Sequence, residues 1–303
     1  MLGRVSGPEL VTSLSYALNG GQPQPLTIGS DGRRLAARGD FNVDLSIQDL
    51  QLGTNQIEIV AESKTGQQVV ERVELDYAAE PCPLPLAIDW SQVNEIQDVA
   101  HVVDGQWSLA RGGISPEEIG YDRLVAIGDM GWRDYEVTVP ITVHGINAGC
   151  YEQPAVHAGV GIVLHWKGHA HWGRDQWASG QPRFGPSPYG AIGWYCVFHD
   201  AGAMLNFFDP DFHRAAEKPQ KLPLHVPHVF KVQVRALPDD ANRYSLKVWP
   251  QGGKEPDEWT LSTTIRYTGY REGAMVLGAH HTAATFGNIT VEPLSRPSHA
   301  STD

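Results

Sequence analysis

Positive charge is scarce in this chain of 303 residues: 23 Lys and Arg stand against 35 Asp and Glu, a net charge of −12. The deficit is shared, with 6 against 11 in residues 1–80 and 17 against 24 in residues 81–303. Nucleic-acid binding draws on dense Lys and Arg that release counterions, and no basic stripe occurs here, so phosphate backbones and anionic membranes are not expected partners. Membrane insertion is not expected either, because no apolar run approaches the roughly 18 residues of a span. The opening MLGRVSGPEL lacks a basic region followed by an apolar one, so it is no secretory leader. Its abruptness suggests a segment of a longer protein, or one whose leader has been removed.

Cysteine is also sparse. Cys82, Cys150 and Cys196 allow one disulfide and leave one thiol over, with Cys150–Cys196 the preferred pair. None has C-x-x-C spacing, which argues against a zinc knuckle or redox motif. Helical periodicity is weak throughout, and only the stretch around Asp211–Glu217 predicts a turn or two of helix. Charged residues make up 19%, while 32 Gly, 21 Pro and 9 Trp punctuate the chain, a composition of many short strands. The fold class is therefore all-β, and the length predicts two domains.

Residues 12–78 alternate. Leu14, Tyr16 and Leu18 point one way, Asn19–Gly21 turns the chain, and Phe41, Val43, Leu45 and Ile47 resume the period. A second hairpin sets Ile57 and Ile59 against Val69, Val73, Leu75 and Tyr77 across a Lys64–Gly66 turn. The segment 78–90, AAEPCPLPLAIDW, is stiffened by prolines and marks a boundary. Residues 8–79 then form a small module, 80–88 a linker, 89–295 a larger domain and 296–303 a tail. Strand-like runs fill the larger domain, among them WRDYEVTVPITVHG, AVHAGVGIVLHW, YGAIGWYCVFH and GAMVLGAHH.

The phrase LGTNQIEIVAESKTGQQ resembles the penultimate hairpin of bacterial immunoglobulin-like modules, which implies a small sandwich acting as spacer or prop. In the larger part, VVDGQWSL with RLVAIGDMGWRDYEVTVPITV, then HAGVGIVLHWKG, then AHHTAATFGNITVEPL resemble the concanavalin A-like lectin/glucanase superfamily. The resemblance is to its laminin-G-like and 3-keto-disaccharide-hydrolase-like branches, and it implies a two-sheet jelly-roll sandwich in an extracellular or cell-surface setting. That superfamily includes lectins, glycosidases, lyases and adhesive modules, so the fold does not choose among them.

Candidate chemistry begins at strand 156–166. Period-two alternation assigns Val156, Ala158, Val160, Ile162, Leu164 and Trp166 to the core and His157, Gly159, Gly161, Val163 and His165 to the other face. Glycine weakens a strand unless something approaches its backbone. Either a ligand lies in a groove there, as the resemblance implies, or the glycines serve curvature or a neighbouring side chain. The long loop that follows carries His169, His171, Trp172, Arg174, Asp175, Trp177 and Arg183. A sugar presents an apolar face and many hydroxyls, so Trp172, Trp177 and Trp194 as platforms with His165 and Asp175 beside them suit it; one or two of these tryptophans plugging the sandwich end is the alternative. Adjacent His280 and His281 are expected on opposite faces, with only one entering the groove. Such a histidine is either a proton-transfer group or a satisfied structural residue. His165, His169 and His171 have a loop spacing that suits a transition metal but lack a clear third ligand. No motif requires a cofactor; the resemblance implies a structural calcium held by backbone carbonyls and an Asp, with Asp89, Asp104 or Asp122 as the donor.

The E-x-D-x-x-E pattern of retaining glucanases is absent. Jelly-roll polysaccharide lyases instead use Tyr, His and Arg, and by that resemblance Tyr121, Arg123, His165 and His281 are the catalytic candidates. Three functions follow as expectations: carbohydrate recognition in a concave groove involving His157, His165, Trp172, Asp175, Trp177, Trp194, His280 and His281; a glycosidase or lyase in the same groove; or an adhesive surface protein that binds no sugar. The expected partner is an oligo- or polysaccharide.

Overall fold

A computed structural model describes residues 1–32, 34–147, 149, 157–168, 189–199, 201–266, 269 and 271–295. It is all-β, with short 3₁₀ turns and no longer helix among the described residues, and none of its helices is long and apolar enough to cross a membrane. The chain separates into two compact units that divide between Pro81 and Cys82.

The first unit has an antiparallel sheet in the order Gln24–Pro25, Val11–Leu18, Gly53–Ser63, Gln68–Tyr77, and a two-stranded pair of Leu2–Arg4 with Asp40–Asn42. Asn19 and Gly20 take the left-handed backbone that a tight hairpin needs, and Gly66 does the same in the second hairpin. Leu14, Leu26, Phe41, Val43, Ile57 and Ile59 form the core. Ile47 departs from the expected alternation, lying exposed in a 3₁₀ turn.

The second unit is a sandwich of two antiparallel sheets. One runs Leu261–Arg266, Ala241–Pro250, His228–Ala236, Tyr135–Ile146, Thr282–Phe286, Gly113–Pro116, Trp107–Ala110, with Ile289–Pro293 and Leu86–Ile88 attached beside Tyr135–Ile146. The other runs Arg214–Pro219, Gly202–Phe208, Ala191–Phe198, His157–Trp166, Ala274–His280, Arg123–Ile127, His101–Asp104. Their facing residues make one core, including Tyr135, Val137, Val139, Val160, Ile162, Leu164, Phe207, Phe230 and Leu277. Burying such side chains at about 25 cal/mol per Å² is what holds the sheets together.

The nine-stranded sheet alternates buried and half-buried residues, as a sheet with one covered face should. The seven-stranded sheet differs. Its second face is a further buried cluster containing Leu124, Ala126, Val163, Trp166, Ile192, Trp194, Cys196, Phe198, Met204, Phe208 and Val276. Two expectations change here. Residues Arg214–Pro219 are a strand, not a helical turn, because Asp209 Oδ1 accepts from the amides of Asp211 and His213 and closes a turn just before it. Cys196 is a free thiol inside the second-face cluster, so the expected bridge to Cys150 is not formed; Cys82 is free too, and Cys150 lies outside the described residues.

Candidate functional site

The histidine strand does not hold its period to the end. A register irregularity between Val163 and Trp166, with His165 at φ +55, marks a bulge. One extra residue flips every side chain beyond it. Trp166 therefore joins the second-face cluster instead of the core. His165 is 0% exposed, with Tyr135 and Tyr244 ring centroids 5.7 and 6.2 Å away, both on core residues. His165 accordingly does not line a groove. Its amide donates to the Tyr135 hydroxyl at 3.1 Å, and that hydroxyl in turn donates to the carbonyls of Gly273 and Ala274. Tyr135→Phe would orphan a buried amide and two carbonyl contacts, so we expect a loss of about 1–3 kcal/mol in urea titration. An unchanged midpoint would show that the bulge needs no such clasp.

The glycines of the same strand have a different occupant from a ligand. A Cβ at Gly159 would meet Trp194 Nε1 at 2.5 Å, at Gly161 it would meet Trp194 Cε3 at 2.7 Å, and at Gly278 it would meet Trp194 Cζ3 at 3.0 Å. The indole lies across the bare backbone of two neighbouring strands and is only 5% exposed. Trp194 is thus a cover on a glycine floor, not an open platform.

At the other end of the strand the polar residues converge. Strand Arg123–Ile127 pairs with Ala274–His280 so that Arg123 faces Ala279, which sets Asp122 opposite His280. Asp122 Oδ1 accepts from His280 Nδ1 at 2.7 Å, with the two side chains 11% and 10% exposed. His157 stacks on His280, centroids 5.0 Å apart at 26°. Tyr121 stands edge-on to His280 at 4.8 Å and to His281 at 6.0 Å. The rings of His280 and His281 are only 4.4 Å apart. The expectation that adjacent histidines point apart fails because His281 takes φ +50 at the corner where the chain leaves one sheet for the other. A left-handed residue there ends the alternation.

Burial is the main reason His157 is harder to protonate, with His280 second, and its pKa falls to about 4. His281 falls to about 4 on the same two causes, with Arg123 adding to them. Both imidazoles are neutral at pH 7. The rings of Trp194, Phe198 and Phe208 surround His157 at 6.3, 5.3 and 5.5 Å, and an apolar box favours the uncharged ring.

Other expected residues fall elsewhere. Arg123 is 2% exposed and shares its face with core residues Val125 and Ile127; its guanidinium donates to the carbonyls of Tyr121 at 2.8 Å and Glu118 at 3.3 Å. It is a strut, and Gly105 and Gly120 leave it room. The three aspartates offered as alternative calcium donors have these surroundings. Asp89 caps a 3₁₀ turn through Ser91 and accepts from Asn288, which hold its carboxyl below its usual range. Asp104 is buried at the end of strand His101–Asp104, and Asp122 serves His280. Among the described residues no group of three His, Cys, Asp or Glu side chains is arranged to hold a metal. Trp172, Asp175 and Trp177, with His169 and His171, lie outside the described residues. What the sequence reading missed is Asp122 as a histidine partner, and Phe198 and Phe208 as walls around His157. Only strand register reveals a pairing across 158 residues.

No protein-family profile matches the chain, and no curated protein does. Among solved structures it is similar to the exoplasmic/lumenal domain of VIP36 in its Ca²⁺/Man3GlcNAc-bound form, at 9% identity and a TM-score of 0.45, over 70% of this chain and 92% of that one. It is also similar to winged bean acidic lectin complexed with methyl-α-D-galactose, at 9% identity and a TM-score of 0.43, over 70% and 100%. The alginate lyase Aly36B follows at 11% identity and a TM-score of 0.40, over 71% and 99%.

Proposed function

We propose that the second unit recognises carbohydrate at the corner built by Tyr121, Asp122, His157, His280 and His281. The observation that carries this reading is the convergence of five hydrogen-bonding or aromatic side chains, from three strand ends, on a face that is otherwise apolar. Neutral imidazoles and a carboxylate accept from hydroxyls, and the ring faces suit the apolar side of a pyranose. An extracellular or cell-surface location, with the first unit as an immunoglobulin-like spacer, fits this role. A second reading is an adhesive module that binds no sugar, and it is supported by the indole of Trp194 filling the glycine floor.

A glycan array probed with the parent chain and with His157→Ala and Tyr121→Ala tests the proposal. The parent should bind a discrete set of glycans, and each variant should weaken that binding about tenfold or more, a loss of about 1.4 kcal/mol. Variants that bind as the parent does would place the site elsewhere. Silence across the array would favour the adhesive reading.

A further inference from the structure

Sugar binding does not require a carboxylate committed to the back of an imidazole, yet the site has one. Asp122 Oδ1 lies 2.7 Å from His280 Nδ1. A carboxylate oxygen accepts, so the hydrogen of this contact is on Nδ1 and Nε2 is the ring nitrogen turned away from Asp122. The Asp122 amide approaches the same nitrogen only to 3.5 Å, too far to compete. Nothing among the described residues hydrogen-bonds Nε2. The ring is held on both sides, stacked by His157 and met edge-on by Tyr121. Asp122 and His281 both sustain left-handed backbone, at φ +36 and +50, a strain that residues other than glycine adopt rarely. His281 Nδ1 is sealed from solvent with no hydrogen-bond partner among the described residues.

We propose that His280, oriented by Asp122, is a general base that hydrolyses an acyl ester carried on a glycan, an inference that rests on the carbohydrate reading above. The bond type follows by elimination. Acetal hydrolysis calls for two carboxyl groups flanking the bond, and Asp122 is the one carboxylate against these rings among the described residues. Elimination from a uronate calls for a cation on the sugar carboxylate, and Arg123 is turned to backbone carbonyls. An ester carbonyl needs neither, because an imidazole can activate water to attack it directly. Nε2 takes a proton from water as the water oxygen bonds to the acyl carbon. The bond from that carbon to the sugar oxygen then breaks, and the imidazolium returns the same proton to the sugar oxygen. The products are a carboxylic acid and a sugar hydroxyl, with no oxidant or reductant involved. His280 is the catalytic residue and Asp122 its positioning residue, which fixes the tautomer.

The test incubates the full chain with acetylated xylo-oligosaccharides and with 4-nitrophenyl acetate, measures acetate release, and runs the glycan array in parallel. The parent should release acetate. His280→Gln should reduce release to background. Asp122→Asn should lower kcat roughly 10²–10⁴-fold with little change in KM, since an amide there favours the wrong tautomer, and Asp122→Glu should restore part of the loss. Should these variants not fold, the parent's solvent deuterium isotope effect decides: a value near two on kcat supports proton transfer by the base, and a value near one overturns it. Glycan binding without acetate release leaves the recognition site standing and removes the catalytic dyad, as does release that survives His280→Gln. Neither binding nor release removes both.

Discussion

Gly161→Val should destabilise the second unit by about 3 kcal/mol or more, read as a lowered denaturation midpoint. The effect is large because the added carbons meet immobile neighbours. Beyond Trp194 Cε3 at 2.7 Å, the new Cβ would strike the Gly193 carbonyl oxygen and lie 2.9 Å from Trp194 Cα. Backbone on a paired strand cannot step aside without breaking the ladder between His157–Trp166 and Ala191–Phe198. Gly278→Ala gives the contrast, since its Cβ would press only on the far edge of the indole, Cζ3 at 3.0 Å and Cη2 at 3.2 Å, with Leu124 Cδ2 at an ordinary contact distance of 3.5 Å. There we expect a loss of about 1 kcal/mol that disappears in a Trp194→Ala background, whereas Trp194→Ala alone costs about 3–5 kcal/mol. If Gly161→Val is tolerated, the indole does not occupy the glycine floor, and the trough is open to a ligand after all.

This pair of glycines shows what sequence alone can and cannot convey. Period-two alternation placed the strands containing Tyr135–Ile146, His157–Trp166 and His228–Ala236 well, because burial on one or both faces leaves its imprint residue by residue. The glycines likewise signalled a close approach to the backbone. Composition could not say whether the approaching group was a sugar or Trp194, more than thirty residues away in the chain. His165 and His281 were misplaced for a related reason. Each lies at a left-handed residue where the alternation breaks, at a bulge in one case and a sheet-to-sheet corner in the other. Nothing in the local residue types of HWKG or AHHT marks φ as positive. Asp122 carried too little local signal to be distinguished from Asp89 or Asp104, since its partner is fixed by strand pairing alone. The histidines His157, His280 and His281 were legible as candidates, while their assembly into one cluster with a single carboxylate was not.

That assembly makes the second unit sensitive to acid. Three imidazoles share one carboxylate: His280 has Asp122, while His157 and His281 face His280, each other and the rings of Tyr121, Trp194, Phe198 and Phe208, with Arg123 also near His281. Unfolded, each histidine titrates near 6.5; folded, His157 and His281 titrate at about 4. Between those values the unfolded chain holds more protons than the folded one, so stability rises with pH across the window. It is fully present above pH 6.5, is lost as pH falls towards 4, and changes no further from this source below that. Linkage allows about 3 kcal/mol for each ring, and partial exposure to solvent reduces this to about 1–2 kcal/mol. Urea titrations at pH 7, 5.5 and 4.5 should therefore show a steep decline in the parent and a shallower one in His157→Asn. Histidines and carboxylates remote from the cluster contribute to both curves equally, so the difference between them reports on His157 and its coupling to His280, His281 and Asp122. Parallel curves would mean that the ring of His157 already reaches water, and the aromatic box around it would then be open.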